Sequence, residues 1–134
     1  MRLGKASAYA IFATLCIAEH ESQGPVQRGK IAELLDIPGE YLQKILQRLV
    51  RAQVIQSERG RGGGFRLRKT PPLTTLLEIV EAIDGPMSGE LAGQQAIQSS
   101  DAAKDIIKKL CGEVAQYARS LLRKTTIQDL MGSE

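Results

Sequence analysis

The segment SERGRGGGFRLRK, residues 57–69, decides which fold this chain can adopt. Four of its thirteen residues are arginine and four are glycine. Such glycines can hold a phosphate, form a flexible linker or turn a tight hairpin. Apolar and basic residues alternate over residues 65–68, which is the period of a β-strand. Residues 54–59 can provide the partner strand, so residues 60–64 are predicted to connect a basic hairpin.

The glycines of this segment do not match a nucleotide-binding loop. A P-loop needs a Lys-Ser or Lys-Thr pair that opens a helix, whereas Phe65 and Arg66 follow the glycines here. A G-x-G-x-x-G motif also fails, at Phe65. The chain has one histidine, His20, and no His-x-x-x-His, Cys-x-x-Cys or Gly-x-Ser-x-Gly motif. Metal and nucleophilic chemistry lack their usual residues, so the sequence predicts a protein that is not an enzyme.

Basic and acidic residues are distributed unevenly along the chain. Residues 1–70 contain 12 Lys and Arg against 6 Asp and Glu, whereas residues 71–134 contain 6 against 9. A basic first half favours a polyanionic partner, although a chance imbalance on a solvated surface would give the same counts. Cys16 and Cys111 lie far apart within apolar helical patterns, which predicts reduced, buried thiols in a cytoplasmic protein.

An apolar run over residues 8–18 follows Arg2 and Lys5, and this order resembles the basic and apolar regions of a secretory signal peptide. The run leads into Glu19, His20 and Glu21 instead of a small-residue cleavage site, and it is too short to span a bilayer. Export stays an alternative. We expect a cytoplasmic protein without a membrane partner, in which residues 6–21 form the first buried helix.

Two further helical patterns precede the hairpin, over residues 26–35 and 40–52. They are separated by a Pro/Gly break at residues 36–39. One face of the second pattern is apolar and the other carries Glu, Gln, Lys and Arg, which is typical of a helix-turn-helix. A small αα-hairpin with a solvated face would share this pattern. The residues expected to be buried by the two helices are Val26, Ile31, Leu34, Leu35, Leu42, Ile45, Leu46, Leu49 and Val50.

The second half of the chain is predicted to be helical. Thr74 or Thr75 can cap a helix that ends at residues 84–86, and residues 86–100 have the small, polar composition of a linker or effector loop. Residues 101–134 comprise a long helix, over 101–124, and a tail. A stripe along this helix needs a long partner, which predicts a homodimer, with packing on its own domain as the alternative. The stripe comprises Ile107, Leu110, Val114, Tyr117 and Leu121.

These elements together predict a mainly α fold. A winged helix-turn-helix DNA-binding domain with a two-stranded wing occupies residues 1–85, and the long C-terminal dimerisation helix follows the linker. In such a fold the helix from Glu40 enters the major groove, and wing arginines meet phosphates or a narrow minor groove. Glycines at 62–64 would let the wing backbone approach the DNA closely. The predicted contacts to double-stranded DNA are Arg28, Glu40, Gln43, Lys44, Gln47, Arg48, Arg59, Arg61 and Arg66.

Short segments spread over residues 1–86 match a known pattern. The most specific are Arg59-Gly-x-Gly-Gly-Gly-Phe-x-Leu in the wing and Thr75-Leu-Leu-Glu-Ile-Val-Glu-Ala-Ile-Asp-Gly-Pro86 after it. These segments resemble the Rrf-type bacterial regulators (IscR/NsrR-like). The resemblance implies a homodimeric winged-helix transcription factor, usually a repressor, on a pseudo-palindromic operator. It implies that Tyr41 and Gln43 read the operator and that Arg59 enters the minor groove.

The sequence departs from this family in one respect. Family members that sense iron, nitric oxide or redox state hold an iron–sulfur cluster on three cysteines, but residues 86–105 contain none here. We therefore expect no iron–sulfur cluster and no other cofactor. The signal is then a small molecule near the dimer helices, a protein effector, or oxidation of Cys16 or Cys111. A second hypothesis is a winged-helix protein-interaction module that docks an acidic partner and binds DNA only incidentally.

Overall fold

The computed structural model describes residues 2–90 and 98–132. Met1, residues 91–97 of the predicted linker and residues 133–134 of the tail lie outside the described residues. The helices are α1 (Lys5–His20), α2 (Arg28–Leu35), α3 (Gly39–Arg51), α4 (Leu76–Asp84), α5 (Asp101–Lys124) and α6 (Ile127–Met131). The strands are β1 (Ile55–Glu58) and β2 (Gly64–Leu67), and short 3-10 turns occupy Glu21–Gln23 and Pro71–Leu73.

The core lies between α1, α3 and α4. Helix α1 packs against both of the others, and α3 contributes a fully apolar inner face. Its spacing of three and four residues is the pattern expected of a half-buried helix. The first helix was expected to be buried, but the side chain of Phe12 on α1 is 53% exposed. The inner face of α3 comprises Leu42, Ile45, Leu46 and Leu49.

The second predicted helix was wrong at its start. Helix α2 begins at Arg28, and Val26 instead forms an antiparallel bridge with Phe65. The backbone N–H and C=O of Val26 bond the C=O and N–H of Phe65, each over 2.9 Å. Val26 therefore covers the open edge of β2 in place of a helical turn. Leu34 was also expected to be buried, but its side chain is 53% exposed even though it lies one turn after the buried Ile31.

The predicted hairpin is confirmed as a two-stranded antiparallel sheet. Ile55 pairs with Leu67 and Ser57 with Phe65. Leu67 is buried and Arg68 is exposed, as the alternation predicted. Strand β1 is two residues shorter than the expected 54–59, whereas β2 has the expected length but begins and ends one residue earlier. Beyond the strands, the N–H of Arg68 bonds the carbonyl of Val54.

The chain after the wing returns to the core. Thr75 and Glu78 form a reciprocal capping box at the start of α4, as the sequence indicated. Helix α5 has the predicted bounds, and after it the N–H of Ile127 bonds the carbonyl of Thr74 over 2.9 Å. Ile127 is fully buried in the core. The tail is therefore packed onto the N-terminal domain.

Helix α5 leaves its apolar stripe uncovered. Only Ala115 of α5 is buried, while the exposed fractions of the stripe residues run from 43% at Val114 to 70% at Tyr117. Within residues 2–90 and 98–132, α5 contacts α4 but this contact leaves the stripe residues exposed. In those same residues no helix is long and apolar enough to cross a membrane.

Candidate nucleic-acid interface

The outer face of α3 is polar and exposed. Glu40, Lys44, Gln47 and Arg51 recur every three or four residues and lie opposite the buried leucines. The helix starts after Pro38, which follows a left-handed Asp36 that turns the chain sharply away from α2. This face can offer both donors and acceptors to the edges of bases.

Tyr41 occupies the corner between α3 and α1. Its ring meets that of Tyr9 edge-on, with 5.8 Å between the centroids, and Tyr41 remains 37% exposed. The Nζ of Lys5 lies 5.7 Å from the centroid of the Tyr9 ring, a cation–π distance. Sequence reasoning missed Lys5 as a neighbour of this corner, although the spacing from Lys5 to Tyr9 is one helical turn.

Gln43 and Arg48 lie on the two flanks of the outer face. The Nη1 of Arg28, the first residue of α2, donates to the Oε1 of Gln43 over 3.4 Å. On the other flank, Nη1 of Arg48 donates to the carbonyl of Ile83 over 3.1 Å. That carbonyl belongs to the last turn of α4, where a cation is favourable. Arg48 thus holds α3 against α4.

The predicted wing arginines fall into two groups. Arg59 and Arg61 are exposed around the turn, and neither has a hydrogen-bond or ion-pair partner in the part of the chain that the structure describes. Arg66 is engaged: its Nε lies 2.9 Å from Oε1 of Glu58, and its Nη1 donates to the carbonyl of Glu21 over 3.1 Å. The carboxylate of Glu21 also accepts the N–H of Leu67 at 2.8 Å. Arg66 therefore fastens the wing to the end of α1.

The wing glycines have an intramolecular reason that the sequence did not show. A Cβ at position 63 would lie 2.3 Å from the carbonyl oxygen of Glu58, and one at position 64 would lie 2.5 Å from that of Val26. Gly60 and Gly62 adopt positive φ angles of 100° and 76°, which other residues rarely tolerate. The sequence predicted that glycines 62–64 let the wing approach the DNA. The structure gives a second reason for these glycines, because larger residues at these positions would strain the hairpin or clash with its backbone.

The two thiols differ from the prediction that both are buried. Cys16 is buried, whereas Cys111 is half-buried and lines a cavity of about 670 Å³ between α4, residues 87–90 and α5. Burial raises the pKa of the Cys16 thiol, Glu19 raises it further, and Lys30 opposes them. Cys16 is therefore kept protonated and unreactive at neutral pH.

A half-buried ion pair joins the helices on either side of this cavity. Arg119 of α5 bonds the Oε2 of Glu81, which also accepts the N–H of Met87 at 2.9 Å. Glu81 therefore holds α4, the start of the 86–100 segment and α5 together. The apolar lining includes Val80, Met87, Leu110, Val114 and Leu121.

Three architectural features define the class of protein. A helix-turn-helix unit with an exposed polar helix, a basic wing beside it and a long helix with a free apolar stripe together form a winged-helix transcriptional regulator. The chain belongs to the Rrf2 family, since residues 3–133 match the description "Rrf2: Iron-dependent Transcriptional regulator". The predicted family and fold and the prediction that the chain is not an enzyme are confirmed.

Relatives and solved structures agree with this assignment. The chain is 32% identical over 131 residues to a candidate HTH-type transcriptional regulator, BadM of Rhodopseudomonas palustris, covering 98% of this chain and 81% of that protein. It is 27% identical over 135 residues to the HTH-type transcriptional regulator IscR of Xenorhabdus nematophila, covering 100% of this chain and 81% of the relative. The structure of CymR, the global cysteine regulator of B. subtilis, superposes with a TM-score of 0.81 at 22% identity, covering 100% and 98% of the two chains. The last likeness shows the shared fold.

The residues of this chain do not fit a thiolate-bound iron–sulfur cluster. Such a cluster takes three or four cysteines, and the sequence has two, one on α1 and one on α5. Within residues 2–90 and 98–132, no three His, Cys, Asp or Glu side chains are grouped so that they could hold a metal ion.

Proposed function

We propose that this chain is a homodimeric repressor that binds a pseudo-palindromic operator in double-stranded DNA. The observation that carries the proposal is the exposed polar face of α3 beside two unpartnered arginines on the wing. A rigid helix of this kind suits the major groove, and free guanidinium groups suit phosphates or a narrow minor groove. We place the protein in the cytoplasm, where its DNA partner lies.

The predicted contacts have different roles in this proposal. Glu40, Lys44 and Gln47 face the bases from the outer surface of α3. Arg59 and Arg61 contact the backbone or the minor groove. Tyr41 and Gln43 read bases from the edge of this face, where Arg28 lies beside Gln43. Arg48 and Arg66 hold the interface in place through their contacts within the chain.

A second copy of α5 is the proposed cover for the apolar stripe. Exposed apolar patches of this kind mark interaction sites, and a two-fold dimer would present two recognition helices to two half-sites. Because Leu110, Val114 and Leu121 belong to the stripe and also line the cavity, the partner helix would close the cavity at the same time.

The proposed signal is a small molecule or a protein effector and not an iron–sulfur cluster. The cavity supports the first of these, since it is largely apolar and reaches α4, which Arg48 joins to α3. Oxidation of Cys16 has little support because its thiol is buried.

Titration of the native protein with its own promoter and with random duplex under matched salt tests the proposal. We expect a dimer in sedimentation analysis and tighter binding to the promoter, by about 10³-fold or more. Equal affinity for the two duplexes would refute a sequence-specific regulator. Stoichiometric capture of one acidic protein in the absence of DNA would favour the interaction module instead. Anaerobically purified protein is expected to lack the visible charge-transfer band of an iron–sulfur cluster.

A further inference from the structure

Two polar side chains from different helices meet at the edge of the recognition face. Arg28 is the first residue of α2, and Gln43 lies on the second turn of α3. The 3.4 Å bond between them joins the two helices of the helix-turn-helix unit. Gln43 is half-buried, whereas its neighbours Lys44 and Gln47 are exposed. The amide of Gln43 is therefore more constrained than the other polar groups of α3.

The chemistry of the pair fixes the orientation of the Gln43 amide. A guanidinium group has only donors, so it can bond only the oxygen of an amide and never the NH₂ group. Arg28 therefore turns the oxygen of Gln43 towards α2 and leaves the NH₂ group for another partner. Glutamine reads adenine with both ends of the amide, accepting from N6 and donating to N7. An amide whose oxygen is turned towards α2 offers its NH₂ group to the DNA, which matches the acceptors of guanine, O6 and N7, or the O4 of thymine. The N6 donor of adenine would then have no acceptor on Gln43.

We infer that Arg28 is a positioning residue that makes Gln43 a donor, so that Gln43 selects guanine or thymine over adenine. This inference rests on the proposed DNA-binding function. Arg28 also carries a charge that attracts phosphates whatever the sequence. The two effects are separable because orientation needs the contact with Gln43, whereas attraction needs only the charge.

Selection of bound duplexes from a random pool tests the inference, using the native full chain and three variants. Gln43→Ala identifies the position that Gln43 reads, because base enrichment flattens there. Arg28→Met removes the donor and the charge but keeps a long side chain. Lys30→Met is the matched control, since it removes an exposed charge from the same turn of α2 and leaves the Arg28–Gln43 contact in place.

At the position identified by Gln43→Ala, the native protein is expected to enrich guanine or thymine. Arg28→Met should raise the ratio of adenine to these bases by roughly tenfold. Lys30→Met should weaken binding to all duplexes and leave the ratio unchanged.

The inference is overturned if Arg28→Met behaves as Lys30→Met does, if the native protein already prefers adenine there, or if Gln43→Ala flattens no position. A native protein that enriches no sequence at all would refute the proposed function itself, and the inference with it. A native protein with a clear motif that Arg28→Met leaves unchanged would refute the inference alone.

Discussion

Helices α3 and α5 are both amphipathic, but they turn opposite faces to solvent. Helix α3 buries its apolar face within its own chain and exposes its polar face, whereas α5 buries only Ala115 and exposes its apolar stripe. An exposed polar face is stable in water by itself. Covering an exposed apolar face with a partner would stabilise the protein by about 25 cal/mol for each Å² of apolar surface buried. The free face of α3 therefore suits a polyanion, and that of α5 suits another protein surface.

The largest effect is expected from a charge placed in the stripe of α5. Val114→Asp would bury an unpaired carboxylate in the proposed dimer, at a cost of about 3–5 kcal/mol. We expect dissociation to monomers in sedimentation analysis and a loss of promoter affinity on the order of 100-fold or more. Gln116→Asp is the matched control, because Gln116 is exposed and lies away from the stripe. If Val114→Asp stays dimeric, α5 does not form the dimer contact.

A cavity created by mutation in the buried face of α3 is expected to destabilise the folded protein. Leu46 is fully buried, so Leu46→Ala should lower the free energy of unfolding by about 2–5 kcal/mol in urea titrations. The adjacent Gln47→Ala should change it by no more than about 0.5 kcal/mol, since Gln47 is exposed. If the two variants have the same free energy of unfolding, the buried face of α3 does not stabilise the fold more than its exposed face.

Sequence patterns predicted α5 and the inner face of α3 well because the signals are local. The side chain of Ser100 accepts the N–H of Ala103, so α5 begins at Asp101, where the sequence predicted its start. The start of α2 could not be predicted in this way, because Val26 is bound by Phe65 from a distant part of the chain.

The wing arginines show the same limit within the candidate site. From the sequence alone, Arg59, Arg61 and Arg66 were all predicted to contact DNA. Only the tertiary contacts of Arg66 with Glu58 and Glu21 show that it stabilises the wing, whereas Arg59 and Arg61 are exposed. In the same way, the sequence marked Arg48 as a DNA contact without showing the carbonyl of Ile83 that it bonds.

Arg59 and Arg66 are expected to affect different properties of the protein, DNA binding and stability respectively. Arg59→Ala should make the slope of log affinity against log salt shallower by about 0.9, because one phosphate contact is lost. Its free energy of unfolding should stay within about 0.5 kcal/mol of the native value. Arg66→Ala should instead lower that free energy by about 1 kcal/mol, since it loses its bonds to Glu58 and Glu21. The proposed division of the wing fails if the two variants change the salt slope equally and neither changes stability.

The two thiols differ in the same way as the two regions that hold them. The pKa of Cys16 in the core is raised above its ordinary value of 9.0 by burial and by Glu19. The folded state therefore holds this proton more tightly than the unfolded state does. The resulting stability is fully present below the unfolded pKa and declines as the pH rises through the folded pKa.

We therefore expect the difference in unfolding free energy between the native protein and Cys16→Ala to shrink as the pH rises from about 8 to about 10, by at most about 1.4 kcal/mol per pH unit. Urea titrations across this range measure it. Cys111→Ala is the control on α5, and it should keep the native decline because it retains Cys16. Parallel curves for the native protein and Cys16→Ala would show that the proton of Cys16 is not linked to folding, and that the core around α1 is more hydrated than its packing indicates.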